Sequence, residues 1–180
     1  ILKANTQRAA KLIHSFKQVS VDQASGEMRT VNLAEYFNEV LATLGPSLKN
    51  KPVSIDVSCP PDLNVRTYPG ALAQVITNLV MNSVIHGFEG RERGMVTMVV
   101  TAAGESFRLQ YSDDGNGMDP DALHKLFDPF YTTKRGAGGS GLGANIVYNL
   151  VTGPLAGRIQ ASSAPGHGLH LDIHMAADLR

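Results

Sequence analysis

The chain is 180 residues long with 43% hydrophobic and 18% charged residues, the composition of an ordinary globular domain with room for a full core. Sixteen basic and sixteen acidic side chains cancel, which excludes a global field drawing it onto nucleic acid or an acidic membrane. A single cysteine, Cys59, excludes an internal disulfide and a Cys-based zinc site, and it fits a reducing, cytoplasmic setting. No apolar run approaches the roughly 20 residues needed to span a bilayer, so this stretch is expected to make no membrane contact.

From residue 2 to 19 the apolar side chains Ala9, Leu12, Ile13 and Phe16 fall on one helical stripe with no partner stripe before it. Residues 1–22 are therefore expected to be a helix, in a fragment of something longer that self-associates through this stripe. Residues 23–31 are polar and turn-rich and read as a linker; residues 32–180 form the main domain. There, Asn32 and Glu35 make a capping box for an amphipathic helix carrying Leu33, Tyr36, Phe37, Val40, Leu41 and Leu44. Val53, Ile55 and Val57 alternate as a strand, and Val65 marks a short extended piece. A long helix covers about 71–86, followed by strands at 95–101 and 107–112, a short helix from Pro120 and a loop at 128–139. A helix at about 143–151 and strands at 158–162 and 169–175 complete the chain. Short turns between late strands predict an α+β fold, with helices packed on one face of a mixed, mostly antiparallel sheet.

Three stretches carry chemistry. "SDDGNGMD" (112–119) sets acids and glycines at a strand exit. As a calcium loop it fails, because the third, fifth and twelfth positions from Asp113 are Gly115, Gly117 and His124. A polar turn and a ligand site both remain open. "GGSGLGANIV" (138–147) gathers Gly139, Gly141 and Gly143 before an apolar helical run, which reads as an anion site at a helix N-terminus or as a flexible linker. In "QVITNLVMNSVIHGF", Asn78, Asn82 and His86 recur every four residues as one polar stripe opposite Leu72, Val75, Ile76 and Leu79. That stripe is either a solvated face or the rim of a cleft, where an amide oxygen could ligate magnesium. His167, His170 and His174 do not read as a metal site, since four strand residues span roughly 13 Å.

In this order, with "LFDPFYTTK" between the last two, the stretches resemble the N box, first Gly box, F box and second Gly box of the sensor histidine kinase ATP-binding domain. That domain has a two-layer α/β sandwich, the Bergerat-type ATP-binding fold, and the resemblance spans about 32–175. It implies ATP and Mg2+ as ligands. By it, Asp113 accepts from the adenine amino group, and Gly115 and Gly117 let the backbone approach the base. Asn82 holds magnesium, with Asn78 and His86 near the phosphates. Tyr131, Lys134 and Arg135 lie in the ATP lid, and Gly139, Ser140, Gly141, Leu142 and Gly143 form the phosphate loop. The resemblance also implies transfer of the γ-phosphoryl to a histidine on a dimerisation hairpin, then to a response-regulator receiver domain, in a parent that membrane anchoring would suit. His14 lacks the flanking acid and proline of an acceptor, so the acceptor hairpin is expected elsewhere in the parent. The position of a hydrolytic glutamate is occupied by Asn78, which favours kinase over ATPase. A nucleotide-binding regulatory module that docks a receiver without kinase activity is the alternative. The sequence departs from the family pattern at Leu169, where a hydroxyl supporting the adenine pocket is usual, at Asp114 in place of Asn, and in a longer connection before Gly157.

Overall fold

A computed structural model describes residues 17–51, 53–132 and 141–179. The sheet grows outward from the stretch with the plainest alternation. β4 (Gly94–Ala103) and β5 (Ser106–Asp113) form an antiparallel hairpin with Val96 opposite Asp113 and Ala103 opposite Ser106. Because successive strand side chains face opposite ways, Val96, Met98 and Val100 share the buried face with Phe107, Leu109, Tyr111 and Asp113. β7 (Leu169–Ala176) pairs antiparallel with β5 and adds Leu171, Ile173 and Met175 to that face. β6 (Arg158–Ser163) closes one edge, and β2 (Val53–Ser58), parallel to β4, closes the other. The sheet order is β2-β4-β5-β7-β6, mixed and mostly antiparallel as the sequence predicts.

Helices supply the second layer. Asn32 accepts from the Glu35 amide at 3.0 Å and starts α2 (Leu33–Leu48), which buries Leu33, Tyr36, Phe37, Val40 and Leu44. α3 (Pro69–Asn82) buries Leu72, Val75, Ile76, Leu79 and Val80, and α5 (Gly143–Thr152) buries Val147 and Val151. These residues form one core with the inward face of the sheet. The other face carries Arg108, Gln110, Asp172 and His174, none of them buried, with Arg108 Nε and Nη2 donating to the two Asp172 oxygens at 2.6 Å. α4 (Pro120–His124), capped by Asp119, is the short helix expected there.

The structure differs from the sequence reading at two places, and it gives a purpose to a third. The helix expected to run to His86 ends at Asn82 and widens into a π turn, Ser83–Gly87, with Phe88 N donating to Ser83 O at 2.8 Å. The stretch read as a linker is structured at both ends. A helix runs through residues 17–25, here α1, and β1 (Arg29–Asn32) pairs antiparallel with β3 (Asn64–Thr67). Val19 is buried, and the buried Asp22 accepts from Gln18, from Arg29 Nε and Nη2 and from the Tyr36 hydroxyl. Polar composition hid this, because the anchoring side chain is itself an acid. Finally, the longer connection after α5 fills space: Leu155 is 1% exposed, burial worth about 2 kcal/mol for such a side chain. The stripe Ala9, Leu12, Ile13 and Phe16, and His14 with it, lies outside the described residues.

Candidate nucleotide site

Residues of α3, α5, the Asp113 end of β5 and the Leu169 end of β7 line a cavity of about 430 Å³. Asn78, Asn82 and His86 line it, so the polar stripe of α3 and the π turn faces the cleft and not bulk solvent. Leu79, Met118, Leu126, Phe127, Ile146, Val147 and Leu171 make its apolar walls. Asp113, Gly117, Tyr131, Gly141 and Gly143 complete the set of predicted residues at its surface. Gly115 and Leu142 are not among its lining residues. Lys134, Arg135, Gly139 and Ser140 lie outside the described residues.

Asp113 is the last inward position of the alternation Phe107, Leu109, Tyr111, Asp113, which carries a carboxylate to the floor of the cavity. It is 5% exposed. Its Oδ1 accepts from the amides of Gly115 at 3.0 Å and Leu169 at 3.1 Å. Its Oδ2 accepts from the Ser83 hydroxyl. Ser83 Oγ lies 2.7 Å from Tyr111 Oη, and the Tyr111 hydroxyl donates to Leu79 O at 3.0 Å. Burial, the largest influence, holds the Tyr111 phenol well above its ordinary pKa, so it remains a donor at any working pH.

Ser83 and Tyr111 were missed in the sequence, although two signals were present. Tyr111 shares the inward parity of Asp113, and Ser83 is the lone hydroxyl continuing the apolar stripe four residues after Leu79. Leu169 departs from the expected hydroxyl, yet its backbone amide still reaches Asp113. Asp114 points elsewhere: its Oδ1 accepts from Met95 N at 2.7 Å, and it does not line the cavity.

The first glycine loop is bound on both sides. Asn116 N donates to Gly87 O at 2.8 Å, and Asn116 O accepts from Gly166 N at 2.7 Å. Gly117 has φ 68°, and a Cβ there would stand 2.0 Å from Ala164 O, so no other residue fits. A Cβ on Gly115 would meet Gly87 O at 2.6 Å. Across the cleft, α5 starts from Leu142, whose side chain lends no capping hydrogen bond. A Cβ on Gly143 would stand 2.9 Å from Asn82 Oδ1 and 3.4 Å from Asn78 Oδ1, so that helix start and the two amides converge at one place. Asn145 Nδ2 donates to Phe127 O at 2.9 Å, and the Phe127 and Tyr148 rings pack with centroids 5.3 Å apart. The second glycine stretch is thereby tied to the "FDPF" segment.

Fold and cleft together define a catalytic and ATP-binding domain of the sensor histidine kinase type. The family model described as histidine kinase-, DNA gyrase B-, and HSP90-like ATPase matches residues 67–179, and the chain belongs to that family. Among curated relatives, the sensor histidine kinase ZraS of Klebsiella oxytoca is 34% identical over 142 residues, 78% of this chain and 29% of that protein. The sensor histidine kinase RcsC of Escherichia coli (strain K12) is 27% identical over 169 residues, 91% of this chain and 17% of that one. The chain thus spans less than a third of the length of these relatives. Among solved structures, the catalytic domain of histidine kinase ThkA superposes with a TM-score of 0.72 at 23% identity, covering 84% of this chain and 97% of that one. The mycobacterial sensor histidine kinase MprB superposes with a TM-score of 0.68 at 19% identity, covering 86% and 100%. Both support the fold.

Proposed function

We propose that this chain binds ATP with magnesium and transfers the γ-phosphoryl to a histidine on the dimerisation hairpin of its parent protein. The carrying observation is the buried Asp113 carboxylate at the floor of an apolar slot, with Asn82 and the glycine-flanked start of α5 together at its far end. A carboxylate held by three donors is a fixed acceptor for an exocyclic amine, and the apolar walls suit the faces of a purine. Phosphates would extend toward α5, where Gly141 and Gly143 would let them approach the backbone at the helix start. Lys134 and Arg135 would meet phosphate charge from the lid, Tyr131 and His86 would border the triphosphate, and Gly139, Ser140 and Leu142 would complete the loop.

Asn82 would hold magnesium through its amide oxygen. That donor suits a hard cation, and with a single protein ligand the ion would enter with the nucleotide. When bound, magnesium neutralises charge on the transferring phosphate. Asn78 cannot act as a general base at neutral pH, which favours transfer to a histidine over hydrolysis. Residues 1–22 are proposed as part of the dimerisation hairpin, 23–31 as the junction and 32–180 as the catalytic domain. Response-regulator receivers, a homodimer formed through the first helix and a cytoplasmic position complete the proposal. Among the described residues, no helix is long and apolar enough to cross a membrane.

The test supplies this chain with magnesium, γ-labelled ATP and a separately produced acceptor hairpin from the parent protein. Acid-labile label is expected on the hairpin and not on His14. ATP binding without label on the hairpin would replace the kinase with the regulatory module; label on His14 would overturn the assignment of the first helix.

A further inference from the structure

Counting acceptor sites on Asp113 leads beyond the kinase assignment. An ionised carboxylate offers about four lone pairs. Oδ1 uses two, on the Gly115 and Leu169 amides, and Oδ2 uses one, on the Ser83 hydroxyl. The single open lone pair is on Oδ2. Ser83 spends its only proton on Asp113, so its 2.7 Å contact with Tyr111 takes the proton of the phenol, which also reaches Leu79 O at 3.0 Å. Tyr111 therefore divides one proton between the serine that orients the acid and a carbonyl of α3. Ser83 is 3% and Tyr111 1% exposed; Ser83 borders the cavity, and Tyr111 stands behind it without lining it. Ser83 occupies the first position of the π turn, at the end of the helix that also carries Asn82.

We propose that Ser83 and Tyr111 are positioning residues for base recognition, a two-hydroxyl relay that aims the open lone pair of Asp113 Oδ2 at the exocyclic amine of the purine. The relay enters from the α3 side and does the work that a hydroxyl at position 169 would do from the β7 side. Selection of a 6-amino purine over a 6-oxo purine then depends on Ser83, at the cavity wall, and on Tyr111, which does not line the cavity. A slack carboxylate would still lie in the slot, but its acceptor would no longer be held on the line of the amine.

This inference rests on the nucleotide-site reading, and the experiment separates the two. Ser83→Ala and Tyr111→Phe are compared with the unaltered chain in calorimetric titrations with magnesium and either ATP or inosine triphosphate, which has a carbonyl oxygen where adenine has its amine. Thermal melts are run in parallel. The unaltered chain is expected to prefer ATP. Ser83→Ala should lower ATP affinity about tenfold, and Tyr111→Phe about threefold, with inosine triphosphate affinity unchanged in both. Equal loss for both nucleotides marks a merely structural role and overturns the relay, as does unchanged ATP affinity in both variants. If the unaltered chain binds neither nucleotide, the site itself is misassigned and the relay falls with it. Tyr111→Phe keeps the ring, so a folding failure confined to Ser83→Ala leaves one variant able to decide.

Discussion

Two buried acids, one beside the start of α3 and one beside Ser83 just after its end, show how a structural carboxylate differs from a functional one. Asp22 and Asp113 are 4% and 5% exposed. Asp22 fills its lone pairs: Oδ1 accepts from Gln18 at 3.2 Å and Arg29 Nε at 3.1 Å, and Oδ2 accepts from Arg29 Nη2 at 2.8 Å and Tyr36 at 3.2 Å. A guanidinium also cancels its charge. Asp113 is held by neutral donors alone and keeps one lone pair beside a cavity. The first has nothing left to offer a ligand; the second retains one directed acceptor in a low-dielectric slot. Burial alone would not tell them apart, but their donors do.

The comparison can be broken at either acid. Asp22→Ala leaves the Arg29 guanidinium and the Tyr36 hydroxyl without their shared acceptor, and should cost about 2–3 kcal/mol of stability. Urea unfolding should show this loss while ATP affinity stays within twofold. Asp113→Asn should do the reverse. It swaps an acceptor-only group for one that also presents donors to an amine, and should weaken ATP binding by about 1–3 kcal/mol with little change in the melting temperature. If Asp113→Asn binds ATP normally, Asp113 is only another structural acid.

Smaller changes sharpen the contrast. Tyr36→Phe removes a hydroxyl whose one proton is shared between Pro69 O at 2.8 Å and Asp22 Oδ2 at 3.2 Å, so about 1 kcal/mol of stability should be lost without an effect on nucleotide. The smallest effect belongs to a third acid. Asp172 is also bound by an arginine through both oxygens, but on the open sheet face, and the Arg108 hydrogen bond is the main cause of its lowered pKa. Because the folded pKa is the depressed one, its contribution is present at neutral pH and lost as the pH falls through that value, below about pH 4. Asp172→Asn should therefore lower stability slightly at pH 7, leave it unchanged at low pH where the carboxylate is already protonated, and so flatten the acid limb of the stability curve. An Asp172→Asn effect as large as that of Asp22→Ala would mean that exposure does not discount a paired arginine in this fold.

The sheet and most of the cleft were legible because they follow from periodicity. Alternation in residues 94–113 put Asp113 on the inner face, and four-residue spacing put Asn78, Asn82 and His86 on one line; the cavity receives all four. What was illegible depended on contacts between distant parts of the chain. The role of Ser83 depends on Asp113, thirty residues away, and no local pattern marks a serine as a donor to a strand. The anchoring of α1 depends on an acid pairing with Arg29 and Tyr36 across a stretch whose composition reads as solvated turn. The π turn escaped because a helical stripe looks continuous until the hydrogen-bond ladder is counted. Leu169 looked like a missing contact because only side chains are written in a sequence, and the contact it makes is through its amide.

The close packing at Gly70 has a practical meaning for anyone recombining such domains. A Cβ on Gly70 would stand 2.2 Å from the Asp22 carbonyl oxygen, so the carboxyl-terminal part of α1 rests directly on the start of α3. A crossover placed at residue 28, where turn-like composition invites it, would hand the catalytic half an Arg29 with no acid to bind and an uncovered groove above Gly70. The inherited cassette should instead carry Val19 and Asp22 with it, so that a grafted input helix is joined on the amino-terminal side of both.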